Sequence, residues 1–242
     1  MTLRLLVLLV LAGPVAAQPW GQAQHSVEQW LQGHEVQTQG LSLAVPNWVE
    51  DGAFVAIDLT LRDAQPPVSL SLLRSGEDDP RIATLHVQAW EAPLRLSTRV
   101  RLPRSQQLIV LARDGRGRVW LAAQAVEVLS SSCLSPSTAQ PASNMGPLQA
   151  WLEPQGRGLE LRSLLRHPME TGRRSTVDGQ LLPRHLPTHF EVSGTHGSLL
   201  RIEPFEGLAA NPYWRVLLPA GQTPLLLRWV DADGRVFSRQ LP

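Results

Sequence analysis

The sequence predicts an all-β protein: two antiparallel β-sandwiches joined by a flexible linker. Three observations predict it. Short apolar runs, several alternating with period two, recur through both halves, with turn residues such as Gly, Pro and Asp between them. Residues 130–147 are instead Ser, Pro, Thr, Gln, Ala, Asn and Gly around a lone cysteine, with Leu134 and Met145 the large apolar side chains. Asp-Gly turn chemistry recurs near the end of each half, at Asp114-Gly115-Arg116-Gly117 and at Asp231-Ala232-Asp233-Gly234.

The first 17 residues stand apart from that pattern. A basic start, Met1 to Arg4, precedes the apolar run Leu5 to Ala12, and Val15-Ala16-Ala17 offers small residues before Gln18. This is the layout of a secretory signal peptide, and the run is too short to span a bilayer. An exported, soluble mature protein without membrane insertion is expected. Its length suits two modest domains, 18–129 and 148–242. Charge is balanced, 22 basic against 21 acidic residues, which argues against nucleic acid as a partner. Arginine supplies the whole basic count.

The first element expected is a short helix over Gln22 to Leu31, with Val27, Trp30 and Leu31 at helical spacing and Gly33 ending it. Strands follow at Leu41–Val45, Phe54–Leu61, Val68–Leu73, Ile82–Trp90, Leu94–Leu102, Leu108–Ala112 and Val119–Val128. The linker, 130–147, buries too little surface to offset its ordering entropy. Beyond it, strands are expected from Leu159, at His189–Val192, Leu199–Ile202, Trp214–Leu218 and Leu225–Val230, with Val236-Phe237 last. Trp90, Trp120 and Trp229 lie inside apolar runs and read as core; Trp48 and Trp214 flank turns, where core is favoured over contact surface.

Catalytic constellations are not evident, and no cofactor or metal is expected. There is no glycine-rich phosphate cradle and no Ser in a G-x-S-x-G context. His185 and His189 have metal-ligand spacing for a helix, but Pro187 between them removes the helix, and they read as surface or loop histidines. The acidic turns lack the spaced oxygens of a calcium loop. The one cysteine, Cys133, cannot close a bridge within the chain; it stays free, pairs with another chain, or carries a covalent group. Residues 166–174, Arg-His-Pro-Met-Glu-Thr-Gly-Arg-Arg, read as a rigid corner, with φ fixed at Pro168 and a sharp turn allowed at Gly172.

Within that corner, His167-Pro168-Met169-Glu170-Thr171-Gly172 resembles the signature of SoxZ, the partner subunit of a thiosulfate-oxidation carrier. Leu182-Pro183-Arg184 with Phe190, Asn211-Pro212-Tyr213, and Trp229-Val230-Asp231 with Gly234 extend the resemblance over most of 148–242. The first half resembles SoxY at Leu43–Pro46, Glu50–Ala53, Thr98–Leu102 and Asp114-Gly115. SoxY ends in a GGCGG arm whose cysteine holds the sulfur substrate, and Cys133 stands where that cysteine is expected. Ser131, Ser132, Leu134 and Ser135 replace the glycines, and a SoxZ-like half follows instead of a free C-terminus. The arrangement is similar to fused SoxYZ-like proteins associated with quinoprotein dehydrogenases.

The resemblance implies two immunoglobulin-like sandwiches and a periplasmic, non-enzymatic carrier. Cys133 would attach a sulfur intermediate covalently, with periplasmic sulfur-oxidation enzymes as partners. The alternative it implies is an accessory or binding module for a periplasmic quinoprotein (PQQ-dependent) dehydrogenase or its cytochrome.

Overall fold

The computed structural model describes residues 19–132 and 145–242; the expected signal peptide and Cys133 lie outside them. The N-terminal half supplies β1 (Val36–Gln37), β2 (Leu41–Ala44), β3 (Trp48–Asp51), β4 (Val55–Leu61), β5 (Val68–Arg74), β6 (Arg81–Val87), β7 (Leu94–Val100), β8 (Gln106–Arg113) and β9 (Val119–Ser130). The C-terminal half supplies β10 (Leu148–Gln155), β11 (Gly158–Leu165), β12 (Pro187–Gly194), β13 (Gly197–Pro204), β14 (Tyr213–Pro219), β15 (Leu225–Asp231) and β16 (Val236–Leu241). The all-β expectation holds, and the period-two pattern is its cause: β4 and β15 bury every other side chain.

Both sheets run across the two halves. The larger has the order β1-β9-β8-β5-β6-β13-β12-β15-β16, with β3 beside β9; the smaller reads β10-β11-β14-β7-β4-β2. The seam is therefore two antiparallel ladders. β6 pairs β13 from Val87↔Leu200 to Ala83↔Pro204, and β7 pairs β14 from Thr98↔Trp214 to Leu96↔Val216. The Thr98 hydroxyl adds a 2.7 Å bond to the Tyr213 carbonyl. Strand pairing thus joins the halves directly, in addition to the linker that sequence reading gave them.

One apolar core fills the space between the sheets and crosses the seam. Leu85, Leu96 and Val100 from the first half belong to the same buried cluster as Ile202, Trp214 and Val216 from the second. Each such side chain contributes about 1.5–3 kcal/mol when fully buried. Further into the second half, Phe190 stacks on Trp229 with ring centroids 4.7 Å apart. Trp120, Trp214 and Trp229 are core and Trp90 is half-buried against it, whereas Trp48 is 61 % exposed. Trp48 starts β3, which pairs β9 off the main path of the sheet.

The helix, α1 (Gln24–Leu31), forms where expected and ends through Gln32 and Gly33, both at positive φ. With the 3-10 turn before it, Gly21–Ala23, it buries Ala23 and Val27 on Leu73, Ile109 and Leu111, covering the outer face of β5 and β8. No helix among the described residues is long and apolar enough to cross a membrane.

Candidate functional site

The end of β9 fixes where the chain departs toward Cys133. Beyond its hairpin with β8, this strand pairs in parallel with β3, Trp48↔Glu127 through Asp51↔Ser130. The Ser130 hydroxyl donates to the Glu50 carbonyl at 2.8 Å. Asp51 then holds Ser132 twice: Oδ1 accepts the backbone N–H at 3.0 Å and Oδ2 accepts the hydroxyl at 2.5 Å. The Ser132 hydroxyl bond is the main reason that the Asp51 carboxyl sits below its ordinary range. Asp51 also accepts from the Ala53 N–H at 2.9 Å, opening the tight turn over Gly52. That turn packs on the seam-side loop, with the Leu102 N–H donating to the Gly52 carbonyl at 2.8 Å. A Cβ at Gly52 would lie 1.8 Å from the Leu102 carbonyl oxygen, so only glycine fits.

Ser132 lines a groove at the seam of the halves. One chamber, about 380 Å³, is lined by Ala53, Phe54, Arg101, Arg166, Arg174 and Asn211 among others. A second, about 460 Å³, shares Arg166 and Asn211 and adds Arg99, Pro147 and Gln149. The four arginines are placed by different means. Arg99 lies over the Tyr213 ring at 5.2 Å, and Arg101 donates to the Met169 carbonyl at 3.1 Å. Arg174 grips Glu170 Oε2 through two nitrogens, at 3.0 and 2.7 Å. The Arg166 stem rests against Gly146, whose N–H donates to the Arg166 carbonyl at 2.9 Å. Ser132 and Gly146, on either side of 133–144, thus both adjoin one basic groove.

Behind the groove sits a buried cluster of His167, His185 and Asp231. Asp231 Oδ1 is 3.5 Å from His167 Nε2, and Oδ2 is 3.0 Å from His185 Nε2; the side chains of His167 and Asp231 are fully buried. The Ala232 N–H donates to Oδ1 at 2.8 Å. Asn211 ties the corner to the groove: its N–H donates to the His167 carbonyl at 2.8 Å, and its Oδ1 accepts from the His167 N–H at 3.1 Å. Burial pushes the His167 pKa down, with Asp231 opposing and His185 reinforcing.

The three candidate ligand atoms lie within 4.8 Å of one another, close enough to suggest a metal ion. The tautomer argues otherwise. The Met169 N–H donates to His167 Nδ1 at 3.0 Å, so the proton of the neutral ring is on Nε2, facing the carboxylate. A histidine that binds metal through Nε2 instead donates from Nδ1. His167 Nε2 thus faces the carboxylate at 3.5 Å without a hydrogen-bond partner among the described residues.

The residues singled out by sequence fare differently. Cys133 is outside the described residues, directly after Ser132. His185 and His189 are not neighbours in a site: His189 lies on β12 beside Thr188, whereas His185 joins Asp231 and lies 5.2 Å from the His167 ring. His185 lies in the loop before β12, as expected, but its backbone bridges Glu170 and its ring contacts Asp231, which the sequence did not indicate. The corner at 166–174 is half-inserted, with His167, Met169 and Glu170 buried and Arg166 and Arg173 exposed. Sequence reading missed the arginine groove and the role of Asp231. Only the density of special residues in 166–174 pointed toward them.

These features define a class: a two-sheet β protein whose halves share a seam, with a thiol-bearing segment rooted beside it. The chain is a SoxYZ-like fusion. Residues 27–133 match the family of sulfur oxidation protein SoxY, and residues 151–242 match that of sulphur oxidation protein SoxZ. Among solved structures it is similar to the sulfur carrier protein SoxY from Chlorobium limicola f thiosulfatophilum. That likeness has 20 % identity over 44 % of this chain and 96 % of that one, with a TM-score of 0.37, too loose to bear on the site. No curated protein matches the chain.

Proposed function

We propose that this protein is a periplasmic sulfur carrier that holds its cargo on Cys133 and presents it to sulfur-oxidation enzymes. The observation that carries this reading is the junction of the two matches. The SoxY match ends at Cys133 and the SoxZ match begins at 151, so the cysteine is the last residue of the first match, which supports its carrying the cargo. The hold of Asp51 on Ser132 supports it, because the residue before the cysteine is then fixed beside the seam. Attachment joins the Cys133 sulfur to a sulfur of the cargo. Two electrons and the thiol proton leave in that step, and a partner redox enzyme accepts them. The protein itself supplies docking surface and no catalytic group. The leader-like residues 1–17 support export.

Intact-mass measurement of the protein purified from its native host tests this. Adducts removed by reductant, and absent after Cys133→Ala, are expected. A thiol that is always free, with a host pathway indifferent to Cys133→Ala, would refute the carrier.

A second reading draws on the serines around the cysteine. Ser132 is anchored, and serine lacks the backbone freedom of glycine. This favours an accessory module for a quinoprotein dehydrogenase or its cytochrome, with Cys133 unused. In that case, deleting the gene impairs the dehydrogenase while Cys133→Ala does not.

A further inference from the structure

We propose that the seam groove is a non-covalent binding site for a small, hydroxyl-free dianion of the sulfate and thiosulfate class. Among the described residues its two chambers are lined by Arg99, Arg101, Arg166 and Arg174 and by no carboxylate, with Glu170 set behind Arg174. The other described cavities each include an acidic residue: Asp58 and Glu160 in one, Glu203 in another, Glu77 and Glu206 in the third. In a chain of net charge +1, positive potential is thus gathered at one concave place.

The groups are positioned before any ligand arrives. Arg174 is held by Glu170 and Arg101 by the Met169 carbonyl, while Arg99 has a buried Nε without a hydrogen-bond partner. A guanidinium offers a planar fork of donors that matches two oxygens of a tetrahedral anion. Side chains already in place lose less entropy on binding. The lining also sets a preference. Hydrogenphosphate carries an O–H that needs an acceptor, whereas sulfate and thiosulfate need donors only; the charged side chains here are all donors, and the acceptors left in the lining are the neutral Ser132, Gln149 and Asn211. The role of the groove, selecting which anion reaches Cys133, rests on the carrier reading; the site itself does not.

The test uses the full-length Cys133→Ala protein, in which no covalent adduct can form. Calorimetric titration with sulfate, thiosulfate and phosphate, at ionic strength fixed with chloride, should reveal one saturable site for the first two. Phosphate should bind on the order of tenfold more weakly, and Arg166→Gln should weaken sulfate by a similar factor. Arg166 is exposed, so this variant keeps the fold, to be checked by its urea midpoint. Arg228→Gln, at another exposed arginine, should change nothing. Absence of saturable binding, phosphate as tight as sulfate, or equal losses in both arginine variants would overturn the proposal. Binding to Cys133→Ala without adducts on the native protein removes the carrier and keeps the groove. Adducts without binding do the reverse.

Discussion

The Asp51 carboxylate holds both the N–H and the hydroxyl of Ser132, at 3.0 and 2.5 Å, one residue before Cys133. An anion is thereby fixed on the residue that precedes the thiol in sequence, and a negative charge nearby disfavours the reactive thiolate. Asp51→Ala removes both the charge and the hook. Alkylation of Cys133 by iodoacetamide at pH 7 should then quicken several-fold, with a stability loss of about 1 kcal/mol. An unchanged rate would separate the anchor from the chemistry of the thiol.

His167 sets a pH dependence with a definite sign. Its folded-state pKa is depressed by burial, so the unfolded chain binds a proton that the native ring refuses. Stability is full above the unfolded value of about 6.5 and declines as pH falls below it. His189, also depressed chiefly by burial, acts in the same direction. The lowered carboxyls Asp51, Asp79, Asp114 and Asp233 lose their contributions only below their ordinary 3.8. Urea midpoints between pH 7 and 5 should therefore fall, and His167→Asn should flatten the slope but not abolish it.

The seam predicts one unfolding transition. Trp214, 1 % exposed on β14 and paired with Thr98 of β7, belongs to the core that both halves share. Trp214→Ala should cost about 3–5 kcal/mol, and the loss should appear in the signals of both halves together. Two transitions by calorimetry would show the halves to be independent.

Gly52 is the most restrictive position near the groove. A methyl group there meets the Leu102 carbonyl at 1.8 Å, so Gly52→Ala must displace backbone. A loss above about 2 kcal/mol in chemical denaturation is expected. Gly117→Ala, open around its Cβ but at φ +77°, should cost about 1 kcal/mol, from strain alone.

Periodicity and turn chemistry made most strands and α1 legible, because those signals are local. The turn expected at Asp114–Gly117 joins β8 to β9, with Gly117 at positive φ and the Asp114 side chain accepting from the N–H groups of Arg116 and Arg118. β10 was missed, since Leu148–Gln155 leaves most of its side chains open and interposes Pro154. β3 was missed because its partner is a parallel strand far along the chain, Val49 opposite Val128. The pairing of β6 with β13 is equally non-local: no residue of Arg81–Val87 announces that its edge meets another half. The groove needs Arg99 and Arg101 from one half and Arg166 and Arg174 from the other, which a linear reading cannot bring together. The asparagine–histidine–aspartate contacts behind it span 167 to 231 and have the same cause.

Because one polypeptide supplies both sides of the β6–β13 and β7–β14 ladders, their association is intramolecular. A complex of separate subunits dissociates upon dilution and depends on matched synthesis of the two. Here the effective concentration of one half for the other is set by the tether and does not change with the amount of protein. A groove formed by both halves is therefore as complete at nanomolar abundance as at millimolar. Expression level can alter how many such sites a cell holds, but not how many of them are assembled.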